Sequence, residues 1–110
     1  MTPACSPGFA LTGFERGPAR GFHITFENGW TVSIQIGGGT YSGNYDAPIT
    51  PGPGGKTPPS DTAEVAAWPA GGGLIEMPGG DTVAGYQSPA EVLALLNDIA
   101  GRPSAPAEAG

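Results

Sequence analysis

Residues 21–45 read GFHITFENGWTVSIQIGGGTYSGNY, two alternating apolar and polar runs that meet at Asn28-Gly29 and lead into a glycine-rich loop. The alternation predicts a β-hairpin, and the facing of its side chains fixes the register. A two-residue Asn28-Gly29 loop would set Phe26 opposite Thr31, placing each strand's apolar set against the other's polar set. A three-residue loop, Glu27-Asn28-Gly29 with Gly29 left-handed in a bulge, instead pairs Phe26 with Trp30, Ile24 with Val32 and Phe22 with Ile34. One face is then apolar throughout. The other carries His23, Thr25, Thr31, Ser33 and Gln35, the pattern of an antiparallel sheet with one wetter side.

Away from the hairpin the composition changes. Twenty glycines and thirteen prolines in 110 residues approach the level at which low-complexity disorder sets in. The stretch 1–20 shows no periodicity and no apolar run long enough for a signal peptide or a membrane span, and 102–110 reads as a solvated tail. These readings give a disordered N-terminal segment over 1–20, a single domain over 21–101 with a Pro/Gly-rich loop at 37–61, and a disordered tail over 102–110. The patterned part is roughly 55 to 60 residues, a size at which one hydrophobic core is marginal, so self-association into a homo-oligomer is expected. Cys5 is the single cysteine, which excludes an intrachain disulfide and suits a cytoplasmic setting.

The remaining elements follow from local signals. Thr62 to Trp68 alternates, and the loop from Pro69 to Gly73 is expected to return it as Leu74 to Met77, with a short further strand between Asp81 and Gln87. Ser88-Pro89-Ala90-Glu91 then opens a helix: Ser88 as N-cap, Pro89 at N1, and Glu91 at N3 closing a capping box. Val92, Leu95, Leu96 and Ile99 share one stripe, and Gly101 with Arg102-Pro103 ends the helix. The expected fold class is α+β: a small antiparallel β-sheet of four or five strands, with one C-terminal helix packed on one face across Phe22, Ile24, Phe26, Val32 and Ile34, and disordered tails.

Residues able to carry catalysis are few. Gly52-Pro53-Gly54-Gly55-Lys56-Thr57 ends like a phosphate-binding P-loop, yet Thr50 stands where that pattern needs its first glycine, and Pro58-Pro59 oppose the helix that must follow. His23 is the only imidazole, with Ser33 as its expected cross-strand neighbour; it reads as a half-exposed strand residue. Glu64 and Glu76 would face each other across the second hairpin, the one carboxylate pair worth weighing as acid and base. Asp46 beside Asn44 lacks the spaced ladder of a calcium loop, and one His with one Cys cannot build a zinc or iron site. No catalytic residue, metal or cofactor is assigned, and the chain does not read as an enzyme.

Charge and loop chemistry bear on partners. Ten acidic residues against four basic give a net charge of −6 without a basic stripe, so a nucleic acid duplex is a poor partner, and without a long apolar run no membrane partner is expected. Gly37-Gly38-Gly39-Thr40-Tyr41-Ser42-Gly43-Asn44-Tyr45 leaves a strand with backbone amides, hydroxyls and two rings. Gly37, Gly38, Gly39, Thr40, Tyr41 and Tyr45 are therefore the candidate ligand-binding residues, the glycines approaching phosphate and the tyrosines stacking a base. Trp30 and Trp68 are candidate interface anchors.

The phrases FHITFENGWTVSIQ (22–35), AEVAAW (63–68) and GYQSPAEV (85–92) resemble those of small uncharacterised proteins carried by bacteriophages, prophages and other mobile elements. The resemblance covers roughly 21–101 and carries no catalytic motif. It implies a compact, non-enzymatic accessory protein that works by binding. The expected function is sequestration of a small nucleotide-type host defence signal. The alternative is a protein-protein interaction module that inhibits a host defence protein through Trp30, Trp68 or an open sheet edge.

Overall fold

The computed structural model describes residues 7–13, 19–47, 58–77 and 79–104. Five strands lie in chain order across one antiparallel sheet: β1 (Gly8–Gly13), β2 (Ala19–Thr25), β3 (Thr31–Gln35), β4 (Ala63–Trp68) and β5 (Ala84–Gln87). One helix, α1 (Pro89–Ala100), follows and packs on one face.

The β2–β3 hairpin adopts the three-residue loop. Phe22 pairs with Ile34 and Ile24 with Val32. The Phe26 amide donates to the Trp30 carbonyl at 2.9 Å and the Gly29 amide to that of Phe26 at 2.9 Å. Gly29 sits at φ +89°, the left-handed geometry that such a bulge requires and a side chain resists. On the second face the Thr25 and Thr31 hydroxyls lie 2.8 Å apart, and Gln35 bridges Thr12 and Ser33. The cross-strand bond to Thr25 and the bond along β3 from Gln35 let Thr31 and Ser33 be buried without leaving their hydroxyls unpaired.

Val32, Val65, Ala67, Met77, Ala84 and Ile99 form the buried core, with Ile24, Phe26, Trp30, Ile34, Val92, Leu95 and Leu96 packed around it. The helix begins as its sequence dictates: the Ser88 hydroxyl accepts from the Glu91 amide at 3.2 Å, and the Glu91 carboxylate accepts from the Ser88 amide at 2.8 Å. Pro89 occupies the first turn, where a missing N–H costs no helical bond.

Three expectations are corrected. The segment 1–20, read as disordered, contains β1, whose register runs Gly8 with Thr25, Ala10 with His23 and Thr12 with Gly21. Its alternation is short and diluted by Ala10, so pairing with β2 supplies what local propensity does not. Leu74 to Met77 is not a strand: β5 takes the edge of β4 at Ala63 and Val65, and only the Ile75 amide reaches in, to the Ala67 carbonyl at 2.9 Å. The helix lies over β3, β4 and β5 and not across the first hairpin as a whole. Phe22 instead meets the ring of Phe9, with centroids 6.3 Å apart. The loop segment 48–57, which includes the P-loop-like Gly52 to Thr57, and residues 1–6 with Cys5, lie outside the described residues.

Candidate ligand-binding site

The loop after β3 is built on hydrogen bonds within itself. Asn44 is its hub: its Oδ1 accepts from the Gly37 amide and the Ser42 hydroxyl, each at 2.7 Å, and its Nδ2 donates to the Pro58 carbonyl at 2.7 Å. Thr40 and Ser42 turn inward, with hydroxyls 2.7 Å apart and Thr40 Oγ1 donating to the Gly37 carbonyl. The amides of Gly39, Thr40, Ser42 and Tyr45 all donate to carbonyls of the same loop. Gly37 and Gly39 have φ of +117° and +84°, which allow the chain to fold back this tightly.

Burying Thr40 and Ser42 turns Tyr41 and Tyr45 outward. Their rings are parallel to within 3°, with centroids 6.3 Å apart, and are about half exposed. Tyr86 joins them from β5, with its centroid 6.5 Å from that of Tyr41 and its amide donating to the Tyr41 carbonyl at 2.8 Å. The three tyrosines of the chain thus meet on one surface. Tyr86 holds φ +54°, an uncommon conformation for a bulky side chain and one that concentrates at functional positions. Neighbouring Gly85 makes the approach possible, since a Cβ there would lie 2.5 Å from the Cβ of Tyr41.

Few of the loop's backbone amides are left to meet a phosphate. Most loop amides are consumed internally, and that of Tyr41 points to Glu64 Oε2 at 3.4 Å. The surface is suited to stacking a flat group, and the Glu64 carboxylate at the Tyr41 backbone disfavours an anion there.

Apart from the tyrosine surface, a half-open groove of about 660 Å³ lies between α1 and β4–β5. Its floor is Val65, Met77, Ala84 and Leu95, and its rim carries Glu76, Glu91, Asp98 and Arg102. Glu91 is held by the helix cap and Asp98 by Arg102 at 3.0 Å, so the groove is framed by groups already serving the helix. The exposed rings of Tyr41, Tyr45 and Tyr86, by contrast, take no part in the buried core.

The other candidates are dispersed. His23 does pair with Ser33, but Ser33 Oγ accepts from Gln35, and the imidazole meets Trp68 edge-on at 5.1 Å. Burial holds His23 below its ordinary pKa. Glu64 pairs with Gln35 in the sheet while Glu76 stands on the groove, so the acid-base pair is not assembled. Trp30 lies under the Arg102 guanidinium at 5.0 Å and donates to the Pro103 carbonyl at 3.2 Å. Both tryptophans are thus engaged within the chain. Among the described residues, no three His, Cys, Asp or Glu side chains gather as a metal site, and no helix is long and apolar enough to cross a membrane.

Sequence reasoning reached Tyr41 and Tyr45 but missed Tyr86, since the pairing of β5 with β4 that brings it alongside Tyr41 leaves no local signal. No family model matches the chain, and neither a curated protein nor a solved structure matches it.

Proposed function

We propose that the protein is a small non-enzymatic binding protein that holds a nucleotide-type ligand by its base on Tyr41, Tyr45 and Tyr86. The single observation behind this reading is the convergence of the three rings, two of them parallel, on a loop fixed by its own hydrogen bonds. A loop ordered before the ligand arrives loses little entropy on binding. With the Glu64 carboxylate beside the Tyr41 backbone and most loop amides committed within the loop, the base and sugar supply the recognition and the phosphates stay in solvent. In the mobile-element setting suggested by the sequence phrases, the role is sequestration of a host defence signal, with the ligand released unchanged.

Titration calorimetry with a nucleoside and its phosphates tests the reading. Binding should vary little with phosphate number, and Tyr41→Ala, Tyr45→Ala and Tyr86→Ala should each weaken it by roughly 1 to 3 kcal/mol, the usual worth of a base-aromatic stack. Affinity that rises steeply with each phosphate, or that survives all three substitutions, would remove the tyrosines from the account. Inhibition of a host protein through Trp30 or Trp68 is the weaker reading, because both rings already have intrachain partners.

A further inference from the structure

The outer edge of β1 is built for pairing. The Phe26 amide donates to Trp30, and the Ile36 amide donates to the Arg20 carbonyl, so Arg20, Phe22, Ile24 and Phe26 turn their backbone groups toward β3. The alternate residues Gly21, His23 and Thr25 then face β1, where they meet Thr12, Ala10 and Gly8. That leaves the N–H and C=O groups of Phe9 and Leu11 directed outward, and no described residue pairs with them.

The same two residues carry the most exposed large apolar side chains of the described chain, Phe9 at 78% and Leu11 at 80%. From Gly8 to Gly13 there is no charge and no proline, the devices by which natural sheets blunt a free edge. At the opposite edge β5 is only four residues long, and its register with β4 breaks at a bulge beside Tyr86. β1 is the longer edge, and its register with β2 stays regular from Gly8 to Thr12, shifting only before Gly13.

We propose that β1 is the seam of a two-fold homodimer, in which two copies pair antiparallel to make one ten-stranded sheet. The register is self-complementary. With Ala10 on the dyad opposite the partner's Ala10, Phe9 lies opposite the partner's Leu11, and Leu11 opposite the partner's Phe9. Each such pair exchanges both backbone bonds, so every outward group of Phe9 and Leu11 is satisfied. The dyad falls at a non-hydrogen-bonded pair, where strands approach most closely and alanine is small enough to fit. The apolar side chains of the two copies then meet on the helix-bearing side of the sheet, beside Phe22. Because each chain carries a net charge of −6 while β1 carries none, added salt should strengthen the association. This inference is independent of the ligand reading.

Analytical ultracentrifugation of the full chain tests it, comparing wild type with Leu11→Pro and Leu11→Lys. Leu11→Pro deletes an outward donor while leaving the bonds to β2 in place, and Leu11→Lys carries the test should the proline variant fail to fold. Wild type should sediment at twice the 10.9 kDa chain mass, and the folded variants at the single mass with unchanged far-ultraviolet circular dichroism. A wild-type monomer at several hundred micromolar, or a dimer undiminished by Leu11→Lys, would overturn the proposal.

Discussion

The Asn28 side chain donates to the Ile99 carbonyl at 2.9 Å, so the turn of the β2–β3 hairpin caps the end of a helix 71 residues further along the chain. Asn28 Nδ2 also reaches the Arg102 carbonyl at 3.0 Å, while its Oδ1 accepts from the Trp30 amide at 3.0 Å. The last turn of α1 holds no basic residue; the Gly101 and Arg102 amides reach the carbonyls of Asn97, Asp98 and Ile99, and Asn28 adds a side-chain donor to that of Ile99 from a distant turn. Asn28→Asp keeps the acceptor for Trp30 but sets a negative charge against the negative end of the helix. It should cost about 2 to 3 kcal/mol in urea unfolding, against about 1 to 2 kcal/mol for Asn28→Ala. Equal midpoints for Asn28→Asp and wild type would refute the capping role.

At the other end of the helix, Ser88→Ala removes the acceptor for the Glu91 amide and should lower stability by about 1 kcal/mol. Tyr86 lies two residues away across a β5 position fixed by its bond to Tyr41, so ligand affinity should be unchanged in the folded variant. A loss of affinity larger than the loss of stability would mean that the cap also shapes the tyrosine surface.

His23 gives the fold a pH dependence of known sign. Its pKa in the folded chain lies below the ordinary 6.5 because burial disfavours the imidazolium, so protonation favours the unfolded chain. The full stability is present above that ordinary value. It declines as pH falls through the interval down to the folded value, and the loss levels off below it. His23→Gln should therefore show a smaller drop in urea midpoint between pH 7.5 and pH 5 than wild type. The same drop in both proteins would show that His23 plays no part.

The sequence carried the parts of the fold set by near neighbours and missed those set by distant ones. Asn28-Gly29 between alternating strands specified the loop and the register, and Ser88-Pro89 with Glu91 specified the start of α1, because turn and cap bonds join residues a few positions apart. β1 escaped because Phe9 and Leu11 are only two apolar points in a glycine-rich stretch, and their order comes from β2. Leu74 to Met77 looked like a returning strand, yet β5 competes for the same edge of β4. Within the candidate site, Tyr41 and Tyr45 share a loop and were legible as a pair. The inward turn of Thr40 and Ser42 and the commitment of the loop amides rest on bonds within the loop that no pattern of residue types announces, and the arrival of Tyr86 depends on the pairing of β5 with β4.

The claim that the three tyrosines hold a base without transforming it is tested most directly by native mass spectrometry of the full chain with nucleosides, linear and cyclic nucleotides, and ADP-ribose derivatives. The account predicts a discrete adduct for a nucleoside as well as for its phosphates, with the ligand recovered at unaltered mass after denaturation and the adduct diminished in Tyr41→Ala. A bare protein across the panel, or a ligand recovered at a changed mass, would contradict it.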